Sequence, residues 1–588
     1  MDVAGPAASG ADLLNQADQM GVIDSWLFKA MREDGVTPAD RSNDYEYLRR
    51  VYFDLTGRPP TAEKMAEFAG SGDPNKRAKL ADQLIGSPEF VDKWTMFFGD
   101  LYKNVDNNTQ INRFPDGRQA FYRYIKDAVA GNKKYDAMVS EMIAATGDNS
   151  WEQGPLNFII GGYMAGGPAQ DSYDLLAQIV GDKFLGISYV NCLLCHDGRR
   201  HLDSLSLWGK SSTRMQGYQL AAFFSKVTVP FPRTNPNPDN RNVYYMAVRE
   251  NPRNVNYALG TTTGNRTPRP AVGTTRNVAP VYPFGDTPAP GSGENYRVAL
   301  ARFVTQDLQF ARATVNYIWK QFFARGIVDP VNQFDLARLD PGNPPPDPWT
   351  IQPTNPYLLD ALAKDFQQNG FDLRDLMRKI VTSEAYQLSA QYRGEWKPEY
   401  EKYFARKFVR RLWAEEVVDS ITQTSNLPMR YTFQIQTSLT PGVPAQPGAA
   451  AWSMQLPQTV RMPGEPMGSF LDSFLRGNRV DQERRGEGST PQALNLLNDS
   501  FVQARTRSSS AGGVATIARK LLDKYPTANS NLLVNEMFLN ILNRPAGEDE
   551  MLGATVALSQ ANSPAARQAK VEDLVWACYN KVDFVFNY

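Results

Sequence analysis

The chain is 588 residues long, several times an ordinary domain, and its 42% hydrophobic and 11% aromatic content exceeds what a disordered chain carries. Lys plus Arg and Asp plus Glu both total 63, which argues against nucleic acid as the main partner, and no apolar run reaches the ~18 residues of a membrane span. With only 2 His and 3 Cys, His-rich metal sites and disulfide scaffolds are excluded.

Met1 to Gly10 has neither a basic nor an apolar region and does not read as a signal peptide. The first legible element is the aromatic run Tyr47 to Phe53, which ends at Thr56-Gly57-Arg58-Pro59-Pro60. Thr61 then reads as the N-cap of a new helix with acid in its first turn. Further helices are expected at Lys76 to Ile85, Glu89 to Leu101 and Gly117 to Val129. Asp100, Asp106, Asn107 and Asn108 form an acidic and amide cluster, read as a solvated loop before a site for a hard cation.

A helical stripe of Leu176, Ile179, Val180, Phe184 and Ile187 leads into Cys192-Leu193-Leu194-Cys195-His196, and an aromatic helix is expected from Gly217 to Val227. From 228 to 293 the periodicity disappears into Pro, Asn, Thr, Arg and Gly, with a β-hairpin expected around Val243 to Val248. The main boundary falls here, giving residues 1–227, an irregular connection 228–293, and 294–588.

In the second half, Val315, Ile318, Trp319, Phe322 and Phe323 keep helical spacing, with Gly326 as the expected stop. Leu359, Leu362 and Phe366 repeat the pattern up to Gly370, and Asp372 is positioned to cap a helix bearing Leu376 and Ile380. A Pro-, Gly- and Gln-rich insertion interrupts near 424–466, and helices resume at Pro491 to Arg505, Val514 to Lys524, Asn531 to Leu542 and Lys570 to Tyr579. The fold class is mainly α: two helical domains joined and interrupted by long irregular segments. One weak echo relates Gly57-Arg58-Pro59 to Asn543-Arg544-Pro545, each between a helix and an acidic helix start; two ordinary helix turns account for it as well as duplication does.

The specific chemical signal is Cys192-x-x-Cys195-His196. Two thiols about one helical turn apart can add to the two vinyl groups of a haem, and the adjacent imidazole then reaches the iron. This points to one covalent haem c with His196 as proximal ligand. A redox disulfide, a zinc site using Cys192, Cys195, Cys578 and one His, and a motif without cofactor remain as alternatives. Cys578, in an apolar helix, reads as a buried small hydrophobe. His201 follows His196 too closely to cross the haem face and reads instead as a haem-edge or propionate contact. Met215 or Met246 would serve as a distal thioether, and Arg199 and Arg200 as propionate partners or a solvated basic pair.

The chain resembles the planctomycete-type cytochrome-C-like family, which pairs two domains of unknown function. The amino-terminal resemblance is carried by Leu48 to Thr61, by Gly86-Ser87-Pro88-Glu89-Phe90, and by Phe184 to Ile187 followed by the cysteine motif. The carboxy-terminal resemblance is carried by Phe310 to Trp319, Phe323 to Val328, Ile380 to Tyr386, Pro491 to Asn498 and the closing Phe584 to Asn587. The resemblance implies a haem attached at Cys192, Cys195 and His196, export, and a sulfatase-like partner. Two positions depart from the family: Gly198 stands where many members have a second His, and Tyr588 stands where many end in His.

These readings lead to an exported c-type haem protein, periplasmic or extracellular, that transfers electrons to a redox partner. Two other classes stay open: a structural or self-assembling binding protein with an auxiliary or absent haem, and a peroxidase-like haem enzyme. Haem attachment by the usual bacterial route takes place outside the cytoplasm, so haem and export stand together.

Overall fold

The structure, a computed structural model, describes residues 8–108, 111–231, 243–253, 256–260, 269–286, 288–437, 446–509, 513–526 and 529–588. It is mainly helical, and the sheets among the described residues are antiparallel pairs of two short strands. No described helix is long and apolar enough to cross a membrane.

Local chemistry explains most helix boundaries. Asn43 accepts from the Glu46 amide to open Asp44–Thr56, and Gly57, at φ 69°, closes it. Thr61 accepts from the Lys64 amide to open Ala62–Gly70, and Asp372 caps Leu373–Thr382 through the amides of Arg374 and Asp375. The expected stop at Gly326 is not the one used: Leu308–Phe323 ends at Ala324, which takes the left-handed conformation at φ 62°. Gly326 answers a different need, since a Cβ there would lie 2.2 Å from the Val328 carbonyl oxygen. The 491–505 segment is two helices, Thr490–Asn498 and Ser500–Thr506, because Asp499 ends one and caps the next. Val243 to Val248 does not form the expected hairpin. Val248 bridges Gly147 instead, and Arg249–Glu250 pair with Val227–Thr228.

Among the described residues two large apolar cores result, beside a small cluster of Phe114, Trp151 and Val243. The first runs from Leu13 to Ala405 and takes in both the amino-terminal helices and the helices from 296 onward. The second is built from 412–585, with Phe53 and Met96 inserted from the amino-terminal side. The two echoed turns touch. Arg49 Nη1 donates to Asn543 Oδ1 at 2.8 Å, and Asn543 Nδ2 donates to the Pro60 carbonyl at 3.2 Å. Asn543, like Gly57, is left-handed, at φ 58°.

Buried charges cross between the cores. Asp54 accepts from Tyr386 Oη, Arg410 Nε and Lys407 Nζ, and Glu416 accepts from Arg410 and Lys93. Burial alone would raise the Glu416 carboxyl, but the Arg410 and Lys93 cations outweigh it and bring it down to about 2. Leaving one member of such a network unpaired costs about 3–5 kcal/mol, so the network fixes how the two cores meet.

Candidate functional site

The cysteine motif sits where a helix is made to turn back on itself. The stripe from Leu176 to Ile187 is not one helix: Ala169–Ile179 continues into one wide turn, Val180–Phe184, and then reverses. The reversal is tight. The Ile187 amide donates to the Gly181 carbonyl at 2.7 Å, and Gly186 adopts φ 67°. A Cβ on Gly181 would lie 2.8 Å from Val190, so glycine is what admits the next helix, Val190–Leu193.

That short helix carries Cys192, and the turn after it carries Cys195 and His196. Val190, Leu193 and Leu194 face the core, leaving Cys192 half-buried, Cys195 exposed and His196 half-buried. All three cysteines are free thiols. Burial, with Cys195 as a second contribution, raises the Cys192 thiol above its ordinary value. His196 Nδ1 lies 3.3 Å from the Asp197 carbonyl oxygen, and Nε2 has no hydrogen-bond partner among the described residues.

The following helix, Arg214–Ala222, packs closely on the motif. A Cβ on Gly217 would lie 3.1 Å from the Leu193 carbonyl, and Asp197 accepts from the Arg214 amide at 2.9 Å. The 198–212 loop is clamped from the carboxy-terminal half: Asp335 accepts from the amides of Leu207 and Trp208 at 2.6 and 2.8 Å. Ser188 donates to the Asn332 carbonyl, and Tyr189 reaches Gln333. The motif is therefore held by both halves of the chain.

Other residues join the motif that no spacing rule connects to it. Arg269 Nη1 lies 3.1 Å from Cys195 Sγ, while its Nε donates to Asp174 at 2.8 Å. Tyr257 Oη donates to the other oxygen of Asp174 at 2.7 Å and stacks on Tyr218, with ring centroids 5.6 Å apart. Tyr218 is wholly buried, and its hydroxyl has no hydrogen-bond partner among the described residues. Arg269 stands in Thr-Pro-Arg-Pro within the irregular connection, where composition gives no hint of a site.

The remaining candidates are distributed unevenly. His201 is exposed, and its ring stacks on His196 with centroids 3.6 Å apart. Met215 is in the first turn of Arg214–Ala222, next to the residue whose amide Asp197 holds. Met246 is fully buried and pairs with Ser150, in a segment that meets Pro230 beyond the far end of that helix. Arg199 and Arg200 are exposed. Cys578 belongs to the second core, apart from the motif, and no group of three or more His, Cys, Asp or Glu suited to a metal ion occurs among the described residues. The Asp100 and Asp106 carboxylates are taken up by arginines: Asp100 by Arg479 and Arg484, and Asp106 by Arg118.

The donor set fits haem c in kind: two free thiols one turn apart, followed by an imidazole with Nε2 unengaged. Comparison with known proteins agrees with the paired-domain organisation. Residues 22–228, which include the motif, match PSCyt2, a protein of unknown function (DUF1549), and residues 296–558 match PSD1, a protein of unknown function (DUF1553). No curated protein and no solved structure matches the chain. The two matches in this order show that the chain belongs to the planctomycete cytochrome-like family that pairs these amino- and carboxy-terminal domains.

Proposed function

We propose that this protein is an exported c-type haem protein that transfers electrons through one covalently attached haem. The observation that carries the reading is the placement of Cys192, Cys195 and His196, two free thiols on one turn with an imidazole next to them. Haem c, held by two thioethers and an imidazole, supplies a one-electron iron couple. Cys192 and Cys195 would carry the thioethers and His196 Nε2 would bind the iron.

The chain's own residues set the environment. Arg269, held by Asp174, places a positive charge beside Cys195. Asp197 closes the loop that follows His196 through the Arg214 amide and Asp335 holds its Leu207 and Trp208 amides, which limits reorganisation there. His201 stacks on one face of the His196 ring, so the two imidazoles would not both hold the iron. His201 is therefore assigned to the edge of the site, and Met215 is retained as the distal candidate. The exposure of Cys195 suits a site that a redox partner protein approaches directly. The periplasm or the cell exterior follows from the attachment chemistry.

The intact denatured mass of protein from its native host, with a pyridine haemochrome spectrum of the same sample, tests the reading. A mass gain of one haem, lost in Cys192→Ser/Cys195→Ser, is expected. The apo mass without a haem band would overturn it.

A further inference from the structure

A cavity of about 420 Å³ lies where three distant parts of the chain meet. Asp116 and Arg123 come from the helix Phe114–Ala130, and Asn149, Trp151 and Glu152 come from the loop before Pro155. Tyr245 comes from between the two matched domains, and Gln436 from beside the two-stranded pair Tyr431–Gln434 and Pro447–Ala450. Its size falls within the roughly 300–1,000 Å³ of small-molecule sites.

The walls are fixed by the protein itself. The Thr437 amide donates to Asp116 Oδ2 at 2.7 Å, and Arg118 donates to the Gln434 carbonyl. Ser150 and Met246 exchange hydrogen bonds at 2.9 and 3.0 Å, which sets Trp151 beside Tyr245. The indole meets Tyr245 edge to face, with centroids 6.0 Å apart, and meets Phe114 in the same way on another side. Phe114 is held at φ 60°, a conformation that a bulky residue rarely takes. Strain of this kind persists where the surroundings over-determine it, as at ligand sites.

The polar groups are the informative part. Trp151 is 9% exposed, and its Nε1 is buried without a hydrogen-bond partner among the described residues. The Arg123 guanidinium and Glu152 carboxylate lining the cavity make no ion pair among the described residues. A cationic ligand would satisfy Asp116 and Glu152 but leave the Arg123 guanidinium without an acceptor. An anion would do the reverse and face two carboxylates. Hydroxyl groups both donate and accept, so a polyol satisfies donors and acceptors together. Tyr245, half-buried and held edge to face by Trp151, supplies an apolar surface for the C–H face of a ring.

We infer that this cavity binds a neutral sugar residue, with Tyr245 against the ring and Arg123, Glu152, Asp116 and the Asn149 and Gln436 amides on its hydroxyls. The site is separate from the cysteine motif and does not depend on haem.

The test is calorimetry and indole fluorescence on the full chain, with methyl glycosides of glucose, galactose, mannose, xylose and N-acetylglucosamine as probes. Spermidine and sulfate serve as cationic and anionic probes. Saturable binding of at least one glycoside is expected, weakened at least ten-fold by Tyr245→Ala, Glu152→Gln and Arg123→Ala, and unchanged in Tyr357→Ala and Cys192→Ser. Arg123 and Glu152 are exposed, so their variants should fold, which circular dichroism checks. Saturation by no glycoside, binding undiminished in all three variants, or saturation only by spermidine or only by sulfate would overturn the inference.

Discussion

Asn587 Nδ2 donates to Asp54 Oδ1 at 2.7 Å, which ties the second-to-last residue of the sequence to a carboxylate between the two cores. Phe586–Asn587 also pairs with Arg410–Arg411, so Asn587 arrives beside the cations that neutralise Asp54. Asn587→Ala removes one hydrogen bond to a buried charge, a loss of about 1.5–3 kcal/mol. Asn587→Asp should cost more, because it sets a second carboxylate against Asp54. Urea unfolding midpoints should order wild type above Ala above Asp; an Asp variant as stable as wild type would remove Asn587 from the network.

Asp419 gives the protein a pH dependence of opposite sign to the usual carboxylate. It is fully buried and accepts from the Ser453 amide and hydroxyl and from the Met454 amide. Burial nevertheless pushes it up to about 6. Its folded value lies above its unfolded one of about 3.9, so the folded state holds more protons between them and stability falls as pH rises through that window. The two-unit difference corresponds to about 3 kcal/mol. Asp24, also pushed up to about 6 by burial, adds in the same direction. Glu416, held at about 2, acts oppositely: its contribution is present above about 4.5 and is lost below it. Urea midpoints at pH 5 and 7.5 should therefore differ less in Asp419→Asn than in wild type; equal differences would show that Asp419 does not titrate in that range.

Much of this was legible in the sequence where the cause is local. Thr61 and Asp372 cap helices because their side chains reach amides two or three residues away, and the spacing of Val315, Ile318 and Trp319 marks a buried face. The motif itself is legible because Cys192, Cys195 and His196 fall within one short stretch of sequence. What was not legible depends on long-range contact. Arg269 meets Cys195 across 74 positions, and Asp335 reaches Leu207 across 128, with no periodic signal to connect them. The sequence points to Gly326 as the helix stop where Ala324 serves, because the glycine and the left-handed turn lie within a few residues and only the Val328 carbonyl distinguishes their roles.

Gly198, two residues after His196, stands where one stretch of backbone packs directly on another. A Cβ there would lie 1.7 Å from the Gly209 carbonyl oxygen, and the Gly198 amide donates to the Ser212 carbonyl. Backbone meets backbone, so no side-chain rotation relieves the clash. Gly198→Ala should cost about 1–3 kcal/mol, and Gly198→His should displace the 198–212 loop altogether. Proteolysis within this loop, mapped by mass spectrometry, should rise in both variants; unchanged cleavage would show that the loop accommodates a side chain.

The three thiols should react in an order set by their burial. Cys195 is exposed and Cys192 half-buried with its thiol raised by burial. Cys578 is 2% exposed and pushed up to about 12. The thiolate is the reactive form, so at pH 8 a thiol of that value is ionised about one part in 10⁴. In native apo protein, iodoacetamide should label Cys195 first, Cys192 more slowly, and Cys578 only on unfolding. Protein from the native host gives a different pattern if the haem reading holds: Cys192 and Cys195 stay unlabelled even in denaturant, because both sulfurs are already thioethers, while Cys578 becomes reactive. Labelling of all three after denaturation and reduction would exclude covalent attachment. Labelling of Cys192 and Cys195 only after reduction would identify the pair as a disulfide instead.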